Sequence, residues 1–311
     1  HCISSAASDV YKRQDLNLTT YFKDFENFLK LERNLSVNTI KSYRSDLKKL
    51  EFYLSKTSAK KLSFIDPDIV RGFLYEQSKR VSAKTQGRII STLKTFFNFL
   101  VLEKLINDSP IENIDYPKID SKIPLVLTTY EIDKLISCAF SKKFGLRNQT
   151  IIEIMYSCGL RVSELTEMKI SNIFFDESLI KILGKGNKER FIPLSSTAKK
   201  LLYNYITYNR KNLSQDKQSI DIVFLNNRGK KLTRVMVYNI INDAALEAKI
   251  NKKISPHTLR HSFATHLIEN GADIISIQKM MGHENVVTTE KYLHVNKKHL
   301  VETMIKFHPR K

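Results

Sequence analysis

Three prolines within a stretch of 15 residues limit how this chain can fold. Pro110, Pro117 and Pro124 stand among polar neighbours. Proline fixes its own φ and pushes the residue before it towards extended backbone, so a helix cannot continue through such a stretch. We therefore predict a linker over 109–124 with one domain on each side, which fits a chain of 311 residues.

The first domain, 15–108, has the residue spacing of four helices. Apolar residues recur every three or four positions, as on the buried face of a helix. Ser36, Asp66 and Ser82 mark helix starts, because their side-chain oxygens can cap free backbone N–H groups. Residues 1–14 lack this spacing and begin without Met, so we interpret them as a non-native leader.

The second domain, 125–311, is predicted to be mainly helical with a small β-hairpin. Two short runs, 179–183 and 189–194, are rich in strand-forming residues and flank the turn residues Gly-Lys-Gly-Asn. Thr129, followed by acidic residues, marks a helix start. The predicted fold class is therefore α+β, mainly α with a small sheet.

The charge of the chain indicates a polyanionic partner. The formal net charge is +19, and both domains are positive: 15–108 has 17 basic and 11 acidic residues, and 125–311 has 30 and 17. A chain this basic usually binds nucleic acid, although a solvated Lys-rich surface is the alternative. The candidate DNA contacts are Lys41, Arg44, Lys84, Arg88, Lys188 and Arg190.

Cysteine use and the apolar segments indicate a cytoplasmic protein without membrane insertion. Cys2, Cys138 and Cys158 have no CxxC spacing and are odd in number, so we expect reduced thiols. No apolar run approaches the roughly 20 residues of a membrane span.

Two basic residues lie at predicted chain reversals. Arg161 follows a glycine that ends a helix, where its forked donors could hold a phosphate. A surface pair with Glu164 is the alternative, and we expect Glu164 to support the site rather than react. Lys185 lies at the hairpin tip, but the GxxxxGK[ST] spacing of a nucleotide-binding loop is absent.

The helix expected after Ser255 carries polar chemistry on one face. His257, Arg260 and His261 are spaced i, i+3 and i+4, and a separate apolar stripe can pack inward. Zinc is the rival use of clustered histidines, but HExxH is absent and no Cys or acid has ligand spacing nearby. We assign His261 and His266 structural roles.

Tyr292 completes this set of candidate residues. It follows Gly282-His283, which comes after another short helix. Arg, Lys, His and Tyr, without a carboxylate pair or a metal motif, indicate phosphoryl transfer through a tyrosine nucleophile. Taken alone, a helical tyrosine is more often part of a core or an interface.

Four segments resemble the tyrosine site-specific recombinases of the phage integrase family, most of all the Xer type. They are GLRVSEL (159–165), GKGNKERFIPL (184–194), SPHTLRHSFATHLIENGADI (255–274) and MGHENVVTTEKYLHV (281–295). The resemblance covers about 16–311. The six motif positions of that family are filled by Arg161, Lys185, His257, Arg260, His283 and Tyr292.

The resemblance implies an architecture and an assembly. The first domain would be a SAM-like core-binding domain, and the second a tyrosine recombinase catalytic domain. Together they would form a C-shaped clamp on double-stranded DNA. The protomers would work as a homo- or heterotetramer with a second Xer recombinase, and the C-terminal segment 297–311 would dock on a neighbour. The ending His308-Pro-Arg310 resembles the tails of the XerD group.

The resemblance also implies the chemistry of strand cleavage. Tyr292 would attack the scissile phosphate, form a 3′-phosphotyrosyl bond and release a 5′-hydroxyl. Lys185 fits the general acid for the leaving oxygen, and His257 fits the acceptor of the tyrosine proton. Since the phosphodiester energy is kept in a covalent bond, no ATP is needed. The resemblance implies no metal or other cofactor.

Four further residues have expected roles at the phosphate or beside it. Arg161 and Arg260 would stabilise the charge that builds on the non-bridging oxygens, and His283 would add a hydrogen bond. Glu164 would support this arrangement.

Three biological roles stay open. The first is resolution of chromosome dimers at dif-like sites during segregation, in the nucleoid, with a translocase of the FtsK kind as a candidate activator. The second is integration for a phage, plasmid or transposon. The third is a catalytically silent DNA-binding accessory, against which the complete motif set argues. A type IB topoisomerase shares the chemistry but would relax DNA without site preference.

Overall fold

The computed structural model describes residues 18–57, 65–118, 125–141, 144–184, 188–213, 216–282 and 297–310. The chain divides into two compact units, His1–Lys122 and Ile123–Lys311. Each unit has a hydrophobic core of its own. The expected leader, 1–14, lies outside the described residues.

The described part of the N-terminal unit contains four helices, as predicted. They are α1 (Leu18–Leu31), α2 (Val37–Leu54), α3 (Pro67–Ser78) and α4 (Ala83–Leu102). The three predicted caps are confirmed, because Ser36, Asp66 and Ser82 accept hydrogen bonds from backbone N–H groups in the first turns of α2, α3 and α4. Local sequence therefore fixes where these helices begin.

The core of the N-terminal unit is largely aromatic. Phe25 of α1 is fully buried and meets Phe96 of α4 edge to face, with ring centroids 5.2 Å apart. Ile111 is also fully buried in this core, so the chain turns back after α4. The predicted linker 109–124 thus begins with an anchored turn, and its last residues, 119–124, lie outside the described residues.

The helices described in the C-terminal unit surround one buried helix. They are α5 (Thr129–Phe140), α6 (Gly145–Ser157), α7 (Val162–Thr166), α8 (Ser196–Asn204), α9 (Arg234–Glu247), α10 (Pro256–Glu269), α11 (Ile274–Met281) and α12 (Lys297–Phe307). Short 3-10 turns lie at Ile170–Asn172, Arg210–Asn212 and Lys217–Ser219, and α8 continues into a π-helical stretch, Tyr205–Asn209. Helix α6 is buried along nearly its whole length and packs against α5, α8 and α10.

The predicted hairpin is confirmed and belongs to a small antiparallel sheet. Among the described residues the strand order is β1 (Ile173–Phe174), β2 (Leu179–Leu183) and β3 (Glu189–Pro193). Strand β1 was not predicted, because two residues are too short to show alternation. The hairpin tip with Lys185 lies outside the described residues.

A glycine joins α6 to the start of α7. Gly159 has φ +57°, in the left-handed region that glycine adopts without strain. A Cβ at this position would lie 2.4 Å from Cδ1 of Phe263 on α10. The missing side chain therefore lets α10 approach the point where Arg161 emerges.

The C-terminal segment packs on its own unit in this single chain. Leu300 and Met304 of α12 join the core, and His308 is 1% exposed. Arg310 Nε lies 2.8 Å from an oxygen of Glu153, a fully buried carboxylate of α6. Docking of this segment on a neighbouring protomer stays a prediction.

We expect Arg310→Met to destabilise the C-terminal unit by leaving the Glu153 carboxylate buried without a cation. The loss should be about 2 kcal/mol of unfolding free energy, below the roughly 3–5 kcal/mol of fully buried pairs because Arg310 is partly exposed. Urea unfolding measures this change. The double variant Glu153→Gln/Arg310→Met should recover most of the loss, and Lys306→Met, on the exposed side of α12, should cost less than about 0.5 kcal/mol. A single Arg310→Met variant as stable as Lys306→Met would contradict this account.

Candidate active site

The carboxylate of Glu164 is the centre of the site. Arg161 is the N-cap residue of α7, and Glu164 lies three residues later. The Glu164 side chain accepts hydrogen bonds from the backbone N–H and the Nη1 of Arg161, both at 2.8 Å. This closes the first turn of α7 in the manner of a capping box. Glu164 is buried, with 6% of the residue exposed. Its supporting role in catalysis stays a prediction.

Two further arginines reach Glu164 from other elements. Arg190 of β3 donates through Nη1 and Nη2 to the two carboxylate oxygens at 2.9 and 2.8 Å, the forked geometry that suits a carboxylate. Arg260 of α10 lies 3.9 Å from Glu164 Oε2, within ion-pair distance but beyond a hydrogen bond. Three distant stretches of sequence therefore converge on one negative charge.

The same arginines hold the end of α11. Its last carbonyl groups lack partners within the helix and carry its partial negative charge, so they attract cations. Each of the three arginines donates to a different one of three consecutive carbonyls. The bonds are Arg190 Nε to Met280 O (2.8 Å), Arg260 Nη2 to Met281 O (2.5 Å) and Arg161 Nη2 to Gly282 O (2.9 Å).

The electrostatics of the cluster favour a bound anion. Burial raises the pKa of Glu164, but the hydrogen bonds and charge of Arg190, followed by those of Arg161, more than offset it, and the pKa falls below its ordinary value of 4.5. Burial and the nearby Arg161 lower the pKa of Arg260 to about 10, so it stays protonated at neutral pH. Three guanidinium groups facing one carboxylate leave an excess positive charge.

Helix α10 presents its predicted residues at different depths. The predicted Ser255 cap with Pro256 in the first turn is confirmed. His257 is exposed and His261 is half-buried, whereas Arg260 is 5% exposed and turns inward to Gly159 O at 2.6 Å. The polar face of α10 is therefore divided between an inner guanidinium and outer imidazoles.

His266, which was assigned a structural role, is buried on the same helix. Its Nδ1 lies 2.8 Å from the hydroxyl of Tyr156 on α6.

Among the described residues, no three His, Cys, Asp or Glu side chains are grouped as a metal site would require. Likewise, no helix in the described ranges is long and apolar enough to cross a membrane.

Three residues of the expected catalytic set lie outside the described residues: Lys185, His283 and Tyr292. The described ranges stop directly before two of them. Gly282 ends α11 with φ +63°, and His283 is the next residue in the sequence. Gly184 follows β2 and directly precedes Lys185.

The six candidate DNA contacts differ in their exposure and in whether they pair with an acidic side chain. Lys41, Lys84 and Lys188 are exposed. The other three candidates are arginines with acidic partners. Arg44 pairs with Glu26 at 3.1 Å, Arg88 pairs with the fully buried Asp46, and Arg190 belongs to the Glu164 cluster. The enclosed position of Arg190, whose side chain is 12% exposed, differs from that expected of a DNA contact.

Sequence reasoning missed the partner of Arg88. Asp46 of α2 is 0% exposed and also accepts from Lys49 and from the hydroxyl of Thr92, each at 3.2 Å. An acid on the otherwise apolar face of α2, one residue before buried Leu47, was the available signal, because a carboxylate is rarely fully buried unless it is paired.

Comparison with known proteins identifies the class. The chain matches the phage integrase family over residues 126–299 and the N-terminal SAM-like domain of phage integrases over 22–104. The chain belongs to this family. As predicted from the sequence, the described part of the N-terminal unit is helical, and that of the C-terminal unit is mainly helical with a small sheet. It is a site-specific tyrosine recombinase, an enzyme that breaks and rejoins DNA strands.

The individual relatives of this chain include tyrosine recombinases named XerD. The chain is 39% identical over 297 residues to tyrosine recombinase XerD of Staphylococcus haemolyticus, covering 94% of this chain and 100% of that protein. It is 41% identical over 295 residues to XerD of Oceanobacillus iheyensis, covering 93% and 98%. The structure of XerH bound to a palindromic difH substrate, in a post-cleavage complex, is similar with a TM-score of 0.68 and 26% identity over 90% of this chain and 83% of that chain.

We expect Glu164→Gln to destabilise the C-terminal unit by about 3 kcal/mol, because it leaves clustered guanidinium groups without their buried counter-charge. A depressed carboxyl pKa stabilises the fold fully above the ordinary value of 4.5, and this contribution is lost as pH falls through the lower folded value. Urea unfolding between pH 7 and pH 3 should show that loss in the wild type, and a smaller pH dependence in Glu164→Gln. Glu189→Gln, at a half-exposed ion pair of β3, is the matched control and should cost less than about 1 kcal/mol. Equal effects of the two variants would contradict the central position of Glu164.

Proposed function

We propose that this recombinase cleaves DNA with Tyr292 while Arg161 and Arg260 hold the scissile phosphate, and that it resolves chromosome dimers at dif-like sites. The observation that carries the first part is the convergence of two guanidinium groups, from the start of α7 and from α10, on Glu164 and the end of α11. The similarity to XerD proteins over nearly the whole chain supports the second part.

The donors that remain on the two arginines suit a phosphate. A guanidinium has five N–H groups. Towards the described residues, the side chains of Arg161 and Arg260 each make two hydrogen bonds. The remaining N–H groups and the excess positive charge can stabilise the non-bridging oxygens as negative charge builds on them.

The remaining roles follow from the motif positions. Lys185 protonates the departing 5′-oxygen, and its loop joins β2 to β3, the strand that carries Arg190. His283 donates to the phosphate and directly follows Gly282, to which Arg161 is bonded. His257 lies one turn before Arg260 and accepts the proton of Tyr292, which ordinarily leaves only near pH 10.

The partner is double-stranded DNA, to which both basic units contribute. Lys41, Arg44, Lys84, Arg88 and Lys188 are the proposed contacts, and since phosphate contacts dominate such binding, affinity should fall steeply with salt. The structure of XerH on difH, a relative at 26% identity, supports a dif-like site. Recombination takes place on the nucleoid in the cytoplasm, in a tetramer that includes a second copy or a second Xer recombinase. A translocase of the FtsK kind is the proposed activator.

The first test is covalent trapping on a nicked dif-like duplex, with the wild type beside Tyr292→Phe. We expect a protein–DNA adduct with the wild type alone, while both proteins bind the duplex. An adduct formed equally by Tyr292→Phe would rule out this nucleophile. Adducts on unrelated sequences, but none on dif-like DNA, would favour the integrase of a mobile element.

The phosphate-binding role has its own test. Arg161→Ala and Arg260→Ala should each lower the single-turnover cleavage rate by about 10²–10³-fold, because each removes a preorganised donor to developing charge. The matched control is Arg228→Ala, at an exposed turn of the same unit, which should cleave like the wild type. If the three variants cleave at the same rate, neither arginine holds the scissile phosphate.

A further inference from the structure

We propose that Arg190 is a positioning residue for strand cleavage. It fixes the Glu164 carboxylate and the end of α11, so that Arg161 and Arg260 keep donors for the phosphate. This inference rests on the proposed function, because it concerns the same phosphate site.

The bonding of Arg190 sets it apart from the other two arginines. Its Nη1 and Nη2 form a fork on Glu164, and its Nε donates to Met280 O at 2.8 Å. All three nitrogens of its guanidinium are therefore engaged, and its side chain is 12% exposed. Arg161, by comparison, has a side chain that is 31% exposed. Towards the described residues, Arg190 therefore uses three guanidinium nitrogens, whereas Arg161 and Arg260 each use two.

Arg190 limits how Glu164 can bind its other neighbours. A carboxylate offers about four lone-pair sites. Arg190 occupies one on each oxygen, and the Nη1 and backbone N–H of Arg161 take the others. Arg260, at 3.9 Å, is left with charge attraction alone. Without Arg190, Glu164 could turn towards Arg161 and Arg260 and withdraw their donors from the phosphate.

Arg190 also joins segments that lead to other candidate catalytic residues. It lies on β3, just after the loop that contains Lys185, and it binds the end of α11 just before His283. Gly282 leaves room for this contact, because a Cβ there would lie 3.2 Å from Cδ, Nε and Cζ of Arg190, closer than an ordinary van der Waals contact. One side chain thereby ties the hairpin to the end of α11.

The test uses the full chain, a nicked dif-like duplex and three variants: Arg190→Met, Arg190→Lys and the control Arg228→Met. Single-turnover cleavage is measured at saturating protein, and DNA affinity is measured over a range of salt. Arg190→Met should cleave about 100-fold more slowly, the scale of a small misplacement of catalytic groups. Arg190→Lys keeps the charge without the fork and should be intermediate. Arg228→Met should cleave like the wild type.

The pH profile separates positioning from a purely structural ion pair. The charged groups of the described residues that face Glu164 are Arg161, Arg190 and Arg260. Arg190 is the main group that lowers the pKa of Glu164 against the effect of burial. In Arg190→Met that pKa should rise, so cleavage should fall on acidification at a higher pH than in the wild type.

The salt dependence tests the rival role of Arg190 as a DNA contact. If Arg190 contacted a phosphate, its removal would make the plot of log affinity against log salt less steep by about one unit. We expect the slope of Arg190→Met to match that of Arg228→Met. A shallower slope for Arg190→Met than for Arg228→Met would overturn the inference. Cleavage at the wild-type rate by both Arg190 variants would also overturn it. If Arg190→Met does not fold, Arg190→Lys decides: wild-type rate and pH profile would overturn it. Absence of cleavage by the wild type would instead count against the proposed function.

Discussion

The arrangement of the site depends on one buried carboxylate. Glu164 binds Arg161 and Arg190 through hydrogen bonds and attracts Arg260 at ion-pair distance. These arginines come from the start of α7, from β3 and from α10, and they would repel one another without a shared counter-charge. Because a buried charge is costly unless it is paired, the same contacts that make Glu164 tolerable also hold the guanidinium groups together.

The fold brings these groups together through backbone geometry as well as charge. The missing side chain of Gly159 lets α10 approach the junction between α6 and α7, and the Gly159 carbonyl accepts a hydrogen bond from Arg260. The negative end of α11 supplies carbonyls to the same arginines. Donors that are held in place before DNA arrives need little rearrangement when charge develops on a phosphate, which is the basis of electrostatic catalysis.

Local features of the sequence were sufficient to predict much of the fold. Caps such as Ser36 and Ser255 act within one turn, and the β2–β3 hairpin has its turn residues between its strands, so their signals are local. The contacts of Arg190 were not predictable in this way. It was expected to bind DNA, yet it pairs with an acid 26 positions earlier and a carbonyl 90 positions later. Only the folded chain shows such pairings.

The most direct test of this account is a structure of Tyr292→Phe bound to an uncleaved dif-like duplex. The account predicts that Arg161 and Arg260 both donate to non-bridging oxygens of one phosphate at the cleavage position, while Arg190 keeps its fork on Glu164. A phosphate bound away from these two arginines, or an Arg190 that leaves Glu164 to contact DNA, would contradict it.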